Sequence, residues 1–237
     1  MKRNTRTSKS LELLESVSCF VCLSPSTKES LLESMVEQSF TKGELIILEG
    51  ELCPGVFLVR SGAVSLYRAS SDGVEQIVRI VHRGECFECA AVFDNGPNPT
   101  SAQALEATNL YLIPAETFRS VLGTEPQALL TILPILSARL RSLLSMVDDF
   151  SFLSVYSRLA KLLYQLGEWQ EETLVVSPSL LLNQQHLACM LGCSRQAVNN
   201  SLRKLASKKI IRMERRRVII LKPEALRETI YPEIIRR

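Results

Sequence analysis

Asn183 to Leu205 reads NQQHLACMLGCSRQAVNNSLRKL. The stretch predicts two helices joined by a tight turn. The first, Gln184 to Met190, ends where Gly192 supplies a residue free to adopt the left-handed conformation, and Ser194 then offers a hydroxyl to cap the second. This is the pattern of a helix-turn-helix. In the second helix Val198, Leu202 and Leu205 recur at i, i+4, i+7 and must face a core, to which Cys189 of the first helix also points. Arg195, Gln196, Asn199, Asn200 and Arg203 fall on the other side. Arginine pairs with guanine, and glutamine or asparagine with adenine, while all three can hold phosphate. The first turn of such a helix enters the major groove, so Arg195 and Gln196 are the best placed for base contact and Ser194 stands beside them.

Just downstream, Ile210 to Leu221 reads IIRMERRRVIIL, two β-branched runs around Glu214, Arg215, Arg216 and Arg217. That is the pattern of a hairpin with a basic tip, a wing that reaches the phosphate backbone. The charge distribution agrees. The net charge is only +3, but residues 1–150 carry 13 basic and 18 acidic side chains, and residues 151–237 carry 15 and 7. From Pro178 to Lys222 there are ten basic residues and a single acidic one, Glu214, the footprint of a surface for a polyanion.

Working back toward the N-terminus, Phe152 to Leu166 has the spacing of an amphipathic helix, set off from what precedes it by the pair Asp148-Asp149. Before that pair, Leu129, Leu133, Leu136, Leu140, Leu143 and Val147 are spaced 4-3-4-3-4, a coiled-coil seam of about three heptads. Neighbouring Leu130, Ile132, Ile135 and Leu144 are candidates to cover an adjoining domain, and Pro134 should kink the helix. From Phe40 to Leu112 short β-rich runs (Leu45–Leu48, Val56–Arg60, Ala63–Arg68, Ile77–Val81, Asn109–Ile113) alternate with Gly43, Gly50, Gly62, Gly73 and Gly84, which reads as an antiparallel barrel or roll. Ser24 followed by Pro25 marks the start of a short helix carrying Leu31, Leu32 and Met35.

The totals limit the alternatives. A chain of 237 residues with 46% hydrophobic and 22% charged side chains has room for two globular domains. It shows neither an uninterrupted apolar run of about 18 residues nor a signal-peptide core, so the expected location is the cytoplasm, with no membrane partner. Seven cysteines, an odd number, do not suggest a disulfide framework. Cys19-x2-Cys22 and Cys86-x2-Cys89 do have the spacing of metal or iron-sulfur ligands, although small hydrophobic packing residues are the plainer account. Cys53, Cys189 and Cys193 read as structural. His82 and His186 sit in no hydrolytic or metal motif, haem ligation by His82 is a minor alternative, and no phosphate-cradling glycine loop appears. Nothing points to an enzyme.

From about Cys19 to Leu226 the chain resembles the superfamily of the cyclic-AMP receptor protein and the fumarate and nitrate reduction regulator. The resemblance rests on F-x-x-G at Phe40 to Gly43 with Gly50, Gly62 and Gly84, on SAQALEATNLYLIP at 101–114, on DDFSFLSVYSRLAKLL at 148–163 and on LGCSRQAV at 191–198. It implies a sensory β-roll, a long dimerisation helix and a C-terminal DNA-binding domain that also meets RNA polymerase. Members that bind cyclic AMP carry a Gly-Glu pair and then an Arg-Ser or Arg-Thr pair. Here those places hold Glu88-Cys89 and Pro99-Thr100 or Thr100-Ser101, and the adenine-contacting Thr-Ser pair aligns with Leu143-Leu144. The ribose carboxylate, the phosphate arginine and the hydroxyls are thus missing, so the expected effector is something other than cyclic AMP. Lys209 also departs, standing where many relatives have a helix-ending glycine, and the wing tip lacks glycine.

The expected fold is α+β: a β-roll sensory domain over residues 1–149 that includes a dimerisation helix at about 126–148, then a winged helix-turn-helix over 150–237. The expected function is a homodimeric transcription regulator reading a near-palindromic double-stranded DNA operator. Its effector pocket would draw on Cys86, Glu88, Cys89, Thr100, Ser101, Leu143 and Leu144, and the effector itself stays open. Two alternatives remain: a sensor built on a metal cluster held by Cys19, Cys22, Cys86 and Cys89, and a ligand-sensing module that does not bind DNA.

Overall fold

The computed structural model describes residues 13–15, 17, 20–170, 173–176, 183–214 and 217–230. Cys19, Arg215 and Arg216 lie outside that set, as does the side chain of Cys89. The chain forms two compact units: the first runs through Ser70 and resumes over Ile77–Arg141, and the second combines Ser71–Gln76 with the chain from Ser142 onward.

The first unit is a roll of two four-stranded antiparallel sheets flanked by helices. The strands are β1 (Val36–Phe40), β2 (Leu45–Ile47), β3 (Gly55–Ser61), β4 (Ala63–Ala69), β5 (Glu75–His82), β6 (Cys86–Phe87), β7 (Ser101–Ala104) and β8 (Thr108–Pro114). One sheet has the order β1-β8-β3-β6 and the other β2-β7-β4-β5. Side chains alternate across a strand, so the apolar run of β3 divides between two cores. Phe57 and Val59 join Ile47, Val64, Leu66, Val81, Phe87 and Leu110 in one cluster, where Phe57 and Phe87 stack with ring centres 4.9 Å apart. Val56 and Leu58 point the other way, to Leu31, Phe118, Val121 and Ile132 on helices. Gly62, at φ +89°, carries the chain from β3 into β4; a Cβ there would lie 2.7 Å from the Ala107 carbonyl oxygen. Only glycine fits that corner.

Helix α1 (Pro25–Ser34) starts as its sequence predicts, with the Ser24 hydroxyl accepting from the Thr27 amide. Two further helices, α2 (Cys89–Asp94) and α3 (Ala115–Thr124), were not anticipated. The signal for α3 was present in Phe118, Val121 and Leu122 at helical spacing directly after Pro114. Glu125, which ends α3, accepts hydrogen bonds from the Ser24 amide and hydroxyl and from Thr27, tying the start of α1 to the start of the long helix. Those donors hold its carboxyl below the usual carboxylate range.

Helix α4 (Ala128–Phe152) continues through Pro134 and through Asp148-Asp149. The break expected at the aspartate pair instead falls at Leu153–Ser154. Asp149 sits near a helix C-terminus, where the helix dipole disfavours an anion, but Lys161 neutralises it at 2.6 and 2.7 Å. Of the residues considered for covering the roll, Ile132 is buried and Ile135 packs on the same cluster, joined there by Leu136. Leu130 and Leu144 instead stand exposed, along with Leu129, Leu133, Leu140, Leu143 and Val147. By length and composition α4 is long and apolar enough to cross a membrane. The sequence showed no uninterrupted run because Thr131, Ser137, Arg139 and Arg141 divide it.

The second unit is a winged helix-turn-helix. Helix α5 (Val155–Leu166), capped by Ser154, buries Leu159, Ala160 and Leu163 against α6 (Gln184–Leu191), α7 (Arg195–Ser207) and α8 (Pro223–Ile230). A sheet of order β11-β12-β10-β9 closes the unit, from β9 (Glu168–Gln170), β10 (Thr173–Val176), β11 (Ile211–Met213) and β12 (Val218–Ile220). β9 has no clear sequence signal, whereas Thr173-Leu174-Val175-Val176 of β10 is a β-branched run of the right length for a strand.

Candidate DNA-binding surface and effector cluster

The turn between α6 and α7 is built as its residues require. Gly192 takes φ +58°, ψ +48°, and the Cys193 amide donates back to the Ala188 carbonyl at 3.1 Å. The Ser194 hydroxyl accepts from the Ala197 amide at 3.2 Å, so its oxygen is engaged as a cap while its hydrogen stays available to a phosphate. Val198, Leu202 and Leu205 are buried together with Ser201. Arg195, Gln196, Asn200 and Arg203 are exposed, and Asn199 is half-buried. Arg195 donates from Nε to Gln184 Oε1 at 3.3 Å, so the first helix of the motif steadies the guanidinium that the second presents.

Two lysines on the same helix behave differently. Lys204 and Lys208 reach back over the Tyr156 ring of α5, their Nζ atoms 4.6 and 5.6 Å from its centre. Sequence alone could not separate these from free cations, because the partner is an aromatic some fifty residues away. Helix α7 closes with a Schellman pair, Ile210 amide to Leu205 carbonyl and Lys209 amide to Ala206 carbonyl, which places Lys209 at φ +55°. The sequence departure is therefore real strain: a lysine occupies a left-handed position that glycine would take freely.

The wing pairs Ile211 with Ile220 and Met213 with Val218. At its tip the Glu214 amide donates to the Arg217 carbonyl, and Arg217 Nε donates to Glu214 Oε2 at 2.6 Å. Arg212 approaches the same carboxylate at 3.3 Å. The hydrogen bond from Arg217 holds the Glu214 carboxyl below its ordinary range. Arg217 is thus already paired within the hairpin. Arg212, which sequence reasoning passed over, shares its acid.

In the roll, the structure joins some effector candidates and separates others. Glu88 is 7% exposed and sits at φ +63°, with Thr100, itself buried, donating to its Oε1 at 3.2 Å. Burial pushes the Glu88 carboxyl up to about 7, against which the Thr100 hydrogen bond acts. Its Oε2 has no hydrogen-bond partner among the described residues. The Cys53 thiol, raised mainly by burial, lies alongside, its Sγ 3.8 Å from the Glu88 carbonyl. Ser101 is buried but turned away to accept from the Glu49 amide. Cys86 lies in β6 opposite Leu58, and Glu88 turns the chain before Cys89 opens α2. A single helical turn bearing both thiols is not what forms. Leu143 and Leu144 are exposed on the part of α4 that belongs to the other unit.

Of the paired-cysteine set, Cys22 makes a 3.6 Å contact with the Thr131 hydroxyl and Cys86 packs beside the roll's helical core. Among the described residues no three His, Cys, Asp or Glu side chains gather as metal ligands.

Comparison with known families now places this geometry. A family model described as a cyclic nucleotide-binding domain matches residues 37–125, and one described as a Crp-like helix-turn-helix domain matches residues 157–229, in the order and on the units described above. The chain belongs to the Crp/Fnr superfamily. Within that superfamily it is 28% identical over 217 residues to a CRP-like cAMP-activated global transcriptional regulator of Mycobacterium tuberculosis, covering 91% of this chain and 97% of that one. It is 27% identical over 191 residues to the cyclic AMP receptor protein of Thermus thermophilus, covering 81% and 86%. Among solved structures, FixK2 from Bradyrhizobium japonicum superposes with a TM-score of 0.72 at 20% identity, covering 82% of this chain and 96% of that one. A CooA mutant from Carboxydothermus hydrogenoformans gives 0.71 at 24%, covering 84% and 89%. These last two similarities establish the shared fold. The chain is a Crp/Fnr-type DNA-binding transcription regulator.

Proposed function

We propose that this regulator acts as a cytoplasmic homodimer on a near-palindromic operator, answers to an effector other than cyclic AMP, and communicates with RNA polymerase. The observation that carries the DNA-binding mode is the division of α7 into a buried face of Val198, Leu202 and Leu205 and an exposed face of Arg195, Gln196, Asn200 and Arg203. Arg195 and Gln196 stand in the first turn, where a recognition helix meets base edges. Ser194, Asn199 and the wing arginines Arg215, Arg216 and Arg217 are assigned to the phosphate backbone.

Helix α4 supports dimerisation. Leu129, Leu133, Leu140, Leu143 and Val147 form an exposed heptad face that a single chain does not bury, with Leu136 shared between seam and roll. Seating that face against a second copy removes apolar area from water. It also accounts for the hydropathy of a helix that carries Arg139, Arg141, Asp148 and Asp149 along its length.

The relatives above are named for activation by cyclic AMP, so that effector has to be weighed against this chain's own residues. Pro99 or Thr100 stands where the phosphate arginine is expected, and Glu88, a buried carboxyl hydrogen-bonded by Thr100, occupies the glycine place of the Gly-Glu pair. An acid there opposes a phosphodiester, and Leu143-Leu144 offers adenine no hydrogen bonds.

The assignment is tested by mutating one residue of each type. Arg195→Ala should cost on the order of 1–3 kcal/mol and relax preference at one base pair per half-site, whereas Arg216→Ala should weaken binding to all sequences alike and flatten the salt dependence. Equal loss of sequence preference in both variants would refute the roles given.

A further inference from the structure

Glu88 combines two unfavourable features. It takes a left-handed backbone that favours glycine, and its side chain is 7% exposed. One oxygen accepts from Thr100 and the other has no partner among the described residues. No described cation offsets it. Arg119 acts on the adjoining Cys53, but its guanidinium donates to the Val92 carbonyl and the Asn95 side chain. A second orphan lies in the same segment as Thr100: Asn98 is 2% exposed, and its Oδ1 also lacks a partner, although its Nδ2 donates to the Leu48 carbonyl at 3.4 Å. A buried anion with neither a full set of donors nor a counter-charge is not a packing solution. Strained backbone and unpaired buried polar atoms together mark places built for a ligand.

We propose that Glu88, aimed by Thr100, is the roll's effector subsite and that it takes the cationic, donor-rich end of a small molecule, an ammonium or guanidinium. Such a group supplies Oε2 with its missing donor and the carboxylate with its missing charge. The Thr100 hydroxyl, donating to Oε1, aims the carboxylate. A guanidinium suits the site best because its planar fork can meet a carboxylate with two hydrogen bonds. The inference rests on the reading that the effector is not cyclic AMP, and it turns the sign of the ligand around: a cation in place of a phosphodiester.

The test uses the full-length protein and agmatine, which carries both cationic groups, with cyclic AMP as the anionic control. Calorimetry at pH 8 should show saturable agmatine binding. Because a proton competes for a carboxyl titrating at about 7, affinity should fall about tenfold by pH 6. Glu88→Gln should lose at least tenfold and abolish the pH dependence, and Glu88→Gly, which suits the left-handed backbone, should do the same if the glutamine variant folds poorly. Absence of saturable binding at pH 8, or binding unchanged in both variants, would overturn the inference. Cyclic AMP binding to the wild type would instead defeat the reading beneath it, so the two failures are distinct.

Discussion

Glu88→Gln should stabilise the roll in alkaline solution and leave it nearly unchanged in acid. The wild-type carboxyl titrates at about 7 when folded and near its ordinary 4.5 when unfolded. Folding therefore favours the protonated form, and the wild type loses stability as pH rises from about 4.5 through about 7. At pH 8 the difference approaches the full shift, about 3 kcal/mol at 1.36 kcal/mol per unit, and at pH 5 most of it is gone. Glutamine keeps the shape and still accepts from Thr100, but it never ionises, so it escapes the penalty. The strain at φ +63° is common to both side chains and cancels. For a unit of this size, about 3 kcal/mol corresponds to a rise in Tm on the order of 10 °C. Differential scanning calorimetry of both proteins at pH 5 and pH 8 measures it. A variant less stable than wild type at pH 8, or an offset independent of pH, would show that the carboxylate is compensated and refute the reasoning.

Lys209→Gly should stabilise the second unit by about 1 kcal/mol, since glycine adopts φ +55° without a Cβ penalty and both Schellman hydrogen bonds remain; guanidinium unfolding followed at Trp169 would show it, and destabilisation would contradict the strain assigned there. Leu140→Glu places a charge in the middle of the exposed α4 face and should leave the roll folded while converting a dimer to monomers in light scattering. If mass is unchanged, the seam lies elsewhere.

Elements whose signal is local were legible in the sequence. The helix-turn-helix could be read to within a residue because its caps, Gly192 and Ser194, and its buried triad all sit within a dozen positions. The roll was legible as a class from its glycine-spaced β runs. β1, β6, β7 and β9 are not legible as strands from the sequence, and β10 only as a β-branched run: Val36–Phe40 and Ser101–Ala104 alternate weakly, Cys86–Phe87 is only two residues long, and their pairing with distant strands is decided by tertiary contacts. The end of α4 was misplaced because Asp148-Asp149 looks like a break until Lys161 is seen to neutralise Asp149. At the effector site, the sequence marks Glu88 as a departure from a family pattern and as a pocket candidate, but not as a buried carboxyl. Its burial, and its contact with Thr100, follow from the fold of the 97–100 segment, for which the sequence carries no periodic signal. The pairing of Arg217 with Glu214 was open to inference from their spacing, whereas the stacking of Lys204 and Lys208 on Tyr156 was not.

The central claim is that two copies of α7 read DNA together across a twofold axis. The most direct test is fluorescence anisotropy against operators selected from a random library, followed by variants in which the spacing between half-sites is changed. The account predicts a selected near-palindrome with half-site centres about one helical turn, roughly 34 Å, apart, a stoichiometry of two chains per site, and a steep loss of affinity when half a turn is inserted. Selection of an asymmetric single site bound by one chain, or indifference to the inserted half turn, would contradict it.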